Sequence, residues 1–211
     1  MTEKLIKTKE RVKNYGEVFT PYWMVQKMID SPGIKEECEN INSLFLEPAA
    51  GDGNFLVAIL IRKIKSANEI SENTMFFLQN SLKALSSLYG IELLEDNSND
   101  CRKNIFNTYK LECEKIIGEN LDTKTLKIAR EIINDNIITG NFLTRKTIED
   151  KNIIIKRHNF HLEKGEYKHI KTEFTLDEIE NGIKKTEGSK HSEVKEIIYK
   201  EITLEDFLKG S

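Results

Sequence analysis

Residues 46–55, LEPAAGDGNF, separate a stretch typical of a β-strand from a stretch typical of an α-helix. The apolar SLF that leads into them predicts the strand. In FLVAILIRKI, apolar residues recur at helical spacing, at Phe55, Leu56, Ile59, Leu60 and Ile64. Gly51 and Gly53 keep side chains out of the turn, so a ligand can approach the backbone amides that begin the helix at Asn54. The stretch therefore predicts a strand, a glycine turn and a helix.

Strands and helices alternate downstream of this turn. Apolar periodicity predicts helices over residues 74–88, 95–117 and 125–135, and strands over 88–93 and 136–143. Strands that alternate with helices pair in parallel through crossover helices, which is the doubly wound α/β class. We therefore predict an α/β fold built on a doubly wound sheet.

Upstream of the turn, GEVFTPYWMVQKMID (residues 16–30) predicts another helix. Thr20 is expected to be its N-cap and Pro21 its first helical residue. Its predicted buried stripe consists of Met24, Val25, Met28 and Ile29. This segment and the linker after it make up a first region, residues 1–33.

The character of the chain changes after Asp150. Residues 151–161 and 166–176 predict strands, and residues 175–185 and 203–210 predict short helices. We therefore expect an α/β domain over residues 34–150 and a small C-terminal α+β extension over residues 151–211.

Composition limits the function classes. The formal net charge of −3 and the pI near 5.9 argue against a surface that is basic throughout. The three cysteines have no CxxC spacing, which favours reduced thiols over a disulfide framework. The longest uninterrupted apolar run, FLVAILI, is far shorter than a membrane span. We expect a soluble, cytoplasmic protein without membrane contact.

Polar and aromatic residues mark the ends of three successive predicted strands. The turn with Gly51 and Gly53 follows the first strand, Glu92 ends the second, and Asn141 with Phe142 ends the third. Ligands of such sheets bind at the carboxyl ends of the strands. Glu92 can accept from ribose hydroxyls, Asn141 can bind an exocyclic amine, and Phe142 can stack on a base. Taken singly, each of these residue types is more often an ordinary turn, surface or core residue. Their occurrence in order at three successive strand ends is what favours a binding site.

The sequence resembles the adenine-specific N6 DNA methyltransferases of restriction-modification systems, which use S-adenosylmethionine. The resemblance covers residues 14–145 and lies in four motifs, GEVFTP, LEPAAGDGNF, YGIEL and ITGNFL. A nicotinamide dinucleotide is not favoured, because the third glycine of GxGxxG is absent. The resemblance implies a Rossmann-like sheet and S-adenosylmethionine as the cofactor.

The resemblance also implies the residues of the cofactor site. Phe19, Thr20 and Pro21 would lie by the methionine end of S-adenosylmethionine, with Glu47, Ala49, Gly51 and Gly53 around it. Glu92 would hold the ribose, and Asn141 and Phe142 would hold the adenine. Residue 141 departs from the family, which usually has aspartate there.

A second departure concerns catalysis. The family holds its flipped-out adenine with a motif of the form Asn/Asp-Pro-Pro-Tyr/Phe. This chain has three prolines, Pro21, Pro32 and Pro48, and no two are adjacent. Asn159 and Phe160 offer the nearest polar and aromatic pair downstream, so they are the candidate substitutes. No metal site is predicted from the four histidines, since no cysteine lies nearby.

Two function classes follow. In the first, the chain is a DNA adenine-N6 methyltransferase, or its cofactor-binding half, which needs a partner chain for catalysis and for recognition of the DNA target. In the second, it is a catalytically inactive module with the cofactor fold that binds or regulates a restriction-modification complex.

Overall fold

The computed structural model describes residues 5–163, 166–176, 178 and 197–200. The chain divides into two compact units, Met1–Ile153 and Ile154–Ser211. The helices of the described residues are α1 (Lys9–Tyr15), α2 (Tyr22–Ile29), α3 (Ile34–Glu39), α4 (Asn54–Glu69), α5 (Thr74–Ser86), α6 (Glu95–Ile117) and α7 (Thr123–Asn136). The strands are β1 (Phe45–Glu47), β2 (Leu88–Glu92), β3 (Ile137–Asn141), β4 (Lys146–Thr147), β5 (Ile154–Glu163), β6 (Glu166–Thr175) and β7 (Ile197–Lys200).

The first unit is an α/β structure around a four-stranded sheet in the order β1-β2-β3-β4. The strands β1, β2 and β3 are parallel, with Glu47 level with Gly90 and Glu92 level with Thr139. Two helices connect each parallel strand to the next. The carboxyl ends of the three strands therefore lie on the same side of the unit, and the glycine turn and Glu92 meet there.

Local sequence explains the main elements of this unit. In α4 the predicted stripe is buried at Leu56, Ile59, Leu60 and Ile64, whereas Phe55 is half-buried. The N-caps of α5 and α7 are Asn73 and Asp122, whose side chains accept from backbone amides inside the first turn. Every residue of β2 is buried, as expected for a strand with parallel neighbours on both sides. The strand predicted before the glycine turn and the helix predicted after it are confirmed as β1 and α4.

Helix α2 differs from its prediction in two ways. It begins at Tyr22, and its N-cap is Pro21, so Thr20 does not cap it. The reason is that Pro21 is extended (ψ 145°) and its own carbonyl accepts from Met24 and Val25. Of the predicted stripe only Val25 and Ile29 are buried; they lie on one line along the helix, and Met24 and Met28 lie on the neighbouring line, turned further towards the surface. Met24 and Met28 are exposed.

The end of the sheet also differs from a purely parallel arrangement. Strand β4 was not expected from the sequence, and it pairs antiparallel with β3, with Asn141 opposite Lys146. Because two strands joined by a short loop can only pair antiparallel, the loop over residues 142–145 produces this pairing. The sheet is therefore mixed.

The second unit contains the antiparallel sheet β5-β6-β7. The predicted strands at 151–161 and 166–176 are confirmed by β5 and β6, which pair over their whole length from Ile154 opposite Thr175 to Glu163 opposite Glu166. Of the helix predicted over 175–185 only residues 175, 176 and 178 are described, and the helix predicted over 203–210 lies outside the described residues.

Candidate functional site

The glycine turn takes a conformation that depends on its two glycines. Gly51 has φ 56° and Gly53 has φ 93°, both in the left-handed region that side chains disfavour. A Cβ atom at Gly53 would lie 2.9 Å from Sγ of Cys101, in α6. Gly53 is therefore required both by the backbone and by the close approach of α6.

Glu92, at the end of β2, is hydrogen-bonded to this turn. Its Oε2 accepts from the backbone N–H of Gly51 at 2.8 Å, and its Oε1 accepts from the N–H of Leu94 at 2.9 Å. Glu92 is only 7 % exposed. The two predicted parts of the site, 41 residues apart in sequence, are thus joined by a charge-assisted hydrogen bond.

The segment GEVFTP lies against the same turn. A Cβ atom at Gly51 would lie 3.4 Å from Cδ1 of Phe19, whose ring is buried. The carbonyl of Thr20 accepts from Nδ2 of Asn54, the first residue of α4, at 3.4 Å. Pro21 follows as the N-cap of α2. Phe19 therefore lies beside Gly51, and Thr20 lies beside the start of α4.

Acidic side chains dominate the turn itself. Oε1 of Glu47 accepts from the N–H of Ala49 at 3.3 Å, and burial raises the pKa of Glu47 above its ordinary value. Burial likewise raises the pKa of Asp52, against the opposing effect of the backbone amides of Asp52 and Asn54. Because the Asp52 carboxylate is already at the start of α4, a phosphate is disfavoured there. The turn suits a ligand with cationic and hydroxyl groups better than a dinucleotide.

Asn141 and Phe142 lie at the end of the adjacent strand β3. Oδ1 of Asn141 accepts from the N–H groups of Leu143 and Thr144, at 2.9 and 3.2 Å. The acceptor oxygen that the sequence offered to an adenine amine is thus used within its own turn. Phe142 is half-buried. In the described part of the chain, neither residue hydrogen-bonds to the glycine turn or to Glu92.

Sequence reasoning missed a polar network beside Glu92. Nδ2 of Asn97 donates to Oε2 of Glu17 at 2.9 Å and lies 3.4 Å from Oε1 of Glu92. Arg11 also donates to Oε2 of Glu17, and it pairs with Asp96. The Arg11 hydrogen bond holds the pKa of Asp96 well below its usual range. In the sequence, only Glu17 pointed to this network, because it lies inside the motif GEVFTP.

Glu17 retains an unused acceptor in this network. Its side chain is only 7 % exposed, and its Oε1 is buried without a hydrogen-bond partner among the described residues. A buried carboxylate oxygen without a donor is costly. It is a place where a bound hydroxyl or amine would be stabilised.

The candidate substitutes for the catalytic motif lie in the second unit. Asn159 and Phe160 are neighbours on β5, opposite Ile170 and His169 of β6. The ring of Phe160 stacks on the ring of His169, with centroids 4.7 Å apart and planes at 11°. The Phe160 ring is therefore occupied by a contact inside its own sheet.

No protein-family model, curated protein or solved structure matches the chain. Within the described ranges, no cluster of histidine, cysteine or acidic side chains is arranged to hold a metal ion. The helices described above include none with the length and apolar character needed to cross a membrane. The proposed function therefore rests on the contacts around Gly51 and Glu92.

Proposed function

We propose that the chain binds S-adenosylmethionine at the carboxyl ends of β1, β2 and β3, and that it is the cofactor-binding half of a DNA adenine-N6 methyltransferase of the restriction-modification type. The observation that carries the proposal is the hydrogen bond from Gly51 to Glu92 beneath the ring of Phe19. This contact joins three motifs of that family at the carboxyl ends of the strands. The Rossmann-like character of the sheet is part of the proposal, and the order β1-β2-β3 is half of a doubly wound order.

The hydrogen-bond acceptors and charges of the site fit this cofactor. Among the described residues, Oε2 of Glu92 has one donor, the N–H of Gly51, and a carboxylate oxygen can accept a second hydrogen bond, from a ribose hydroxyl. Glu47 and Asp52 make the glycine turn acidic, which favours a ligand that carries a sulfonium and an ammonium group. When bound, S-adenosylmethionine supplies an electrophilic methyl group.

The chain's own residues would bind and orient that cofactor. Phe19 packs against the glycine turn, and Thr20 and Pro21 lead from it into α2, beside the proposed methionine end. Glu47 and Ala49 shape the wall of the turn, and Gly53 lets α4 begin close to α6. Asn141 and Phe142 would border the adenine from β3.

A partner polypeptide is part of the proposal because adenine methylation needs a flipped base held in line with the donor methyl. The chain has no adjacent prolines to hold the base amine. The ring of Phe160 is stacked on His169 rather than turned to a base. We propose that the partner supplies the missing motif and the recognition of the DNA target.

Replacing Gly51 by valine is expected to weaken S-adenosylmethionine binding at least about 100-fold, since a branched side chain at φ 56° distorts the turn and displaces Phe19. Calorimetric titration of the two proteins with S-adenosylmethionine measures the effect. Gly118→Val is the matched control, because Gly118 also has a left-handed φ, of 75°, but ends α6 with open space around it. Equal binding by all three proteins, or none by the wild type at millimolar ligand, would overturn the cofactor assignment.

The purified chain alone is expected to transfer no methyl groups to DNA. The geometry that the missing prolines supply is worth several kcal/mol of barrier, or roughly a thousandfold in rate or more. Incorporation of tritiated methyl groups into unmethylated genomic DNA is the measurement, with an intact adenine methyltransferase as the positive control. Robust labelling of adenine N6 by this chain alone would contradict the need for a partner, and loss of that labelling in Asn159→Ala would then identify Asn159 as part of the site.

A further inference from the structure

The outer edge of β1 has hydrogen-bonding groups that no other described strand uses. The N–H of Phe45 donates to the carbonyl of Ser87 at 2.9 Å, so Phe45 faces β2. Because successive backbone groups of a strand alternate in direction, the N–H and C=O of Leu46 face away from β2. In the part of the chain that the structure describes, β1 pairs with β2 alone.

This edge is apolar on both faces of the sheet. Leu44 and Leu46, two residues apart and hence on one face, are 55 % and 38 % exposed. The side chain of Phe45 faces the opposite side, and a pocket of about 200 Å³ lies beside Phe45 and Leu46, with walls that include Met28, Ile34 and Phe55. A strand that is apolar on both faces is the kind that parallel sheets bury internally. The shape and polarity of the edge therefore suit one more parallel strand.

The rim of this edge is acidic. Helix α3, whose Ile34 lines the pocket, carries Glu36, Glu37 and Glu39 against the single cation Lys35. Glu47 adds a carboxylate at the end of β1, whereas Asp30 is paired with Arg62 at 2.6 Å. A second copy related by a twofold axis would bring two such rims together, and like charges across an interface are unfavourable. A different chain with a basic flank is complementary to the rim.

We propose that the outer edge of β1 is the docking site for a parallel β-strand of a partner polypeptide, apolar on both faces and flanked by basic residues. The strand would hydrogen-bond to the backbone of Leu46 and cover Leu44, Leu46 and the pocket beside Phe45. Identifying its owner as the catalytic partner rests on the proposed function. The docking surface itself rests on the edge geometry and the charges.

A synthetic peptide tests this inference with the full chain. The probe has a central Val-Ile-Val-Ile-Val run with paired lysines at each end, and its matched control has paired glutamates instead. Fluorescence polarisation is expected to show that the lysine peptide binds at least about tenfold more tightly than the glutamate peptide. Leu46→Lys is expected to weaken binding of the lysine peptide at least tenfold. Leu111→Lys, at an exposed leucine on α6, is expected to leave that affinity unchanged. Glu39→Lys, on the acidic rim, is expected to reduce the difference in affinity between the lysine peptide and the glutamate peptide.

Several results would overturn the inference. These are absence of binding by the lysine peptide, equal binding of the two peptides, or equal binding by the wild type and Leu46→Lys. A dimer seen by light scattering that Leu46→Lys converts to monomer would assign the edge to a second copy. Strong protection of the Leu46 amide from hydrogen exchange in a monomeric wild type would show that a segment of this chain already occupies the edge of β1. Calorimetry with S-adenosylmethionine on the same preparation tests the proposed cofactor binding separately. The docking inference and the proposed function can therefore fail independently of each other.

Discussion

Replacing Gly53 by alanine is expected to lower the free energy of unfolding by about 2–4 kcal/mol. Two costs combine. The backbone at φ 93° is one that alanine rarely adopts, and the new Cβ would lie 2.9 Å from Sγ of Cys101 and 3.4 Å from its Cα. The backbone of α6 cannot move away easily, because α6 packs against α4 and β3. Urea denaturation followed by circular dichroism measures the loss.

Gly118→Ala separates these two costs. Gly118 has φ 75° with nothing within 4 Å of an added Cβ, so its substitution is expected to cost only about 1 kcal/mol of backbone strain. The double variant Gly53→Ala/Cys101→Ala is expected to recover part of the loss, since it removes the sulfur that the new methyl group meets. If Gly53→Ala costs no more than Gly118→Ala, the close approach of α6 to the turn is wrong.

Replacing Lys63 by methionine is expected to lower the free energy of unfolding by about 2–4 kcal/mol, because it removes the donor from a buried polar cluster. Nζ of Lys63 donates to the carbonyls of Asn40 and Ser43 at 2.8 and 2.6 Å, and to the hydroxyl of Ser87 at 2.9 Å. Lys63 is fully buried, and these bonds hold the loop that leads into β1. Lys65→Met is the matched control on the same helix, where Lys65 is 80 % exposed. Its effect is expected to stay within about 0.5 kcal/mol.

The Lys63 effect also has a defined pH dependence. Burial lowers the pKa of Lys63 from the ordinary 10.5 to about 8 in the folded protein. Between these two values the unfolded chain binds more protons at this residue than the folded chain, so its contribution to stability rises with pH. The difference between the wild type and Lys63→Met is therefore expected to be constant below pH 7 and to grow by about 1–2 kcal/mol between pH 8 and pH 10. A difference that shrinks over that window would show that the buried lysine is not destabilised in its charged form.

Local sequence was sufficient for the order of strands and helices from β1 to β3, but not for β4. The apolar repeat after Asn54 and the buried run at 88–92 are short-range signals, since each depends on residues within one or two turns. Glycines 51 and 53 indicated the turn for the same reason. The stripe of α2 shows where this reasoning stops, because Met24 and Met28 have the right spacing and yet are exposed. Periodicity identifies an amphipathic face but not how much of it a neighbour covers.

The sequence by itself determined the strand, turn and helix units and the chemical types at their ends, because backbone propensity, capping and periodicity act over a few residues. Only the tertiary structure decided that Glu92 accepts from Gly51, that Oδ1 of Asn141 turns back to its own loop, and that Lys63 is buried rather than solvated. It also decided that β1 lies at an edge of the described sheet. These outcomes depend on which distant groups meet, and hydrogen-bond satisfaction and packing between segments tens of residues apart have no counterpart in a local pattern.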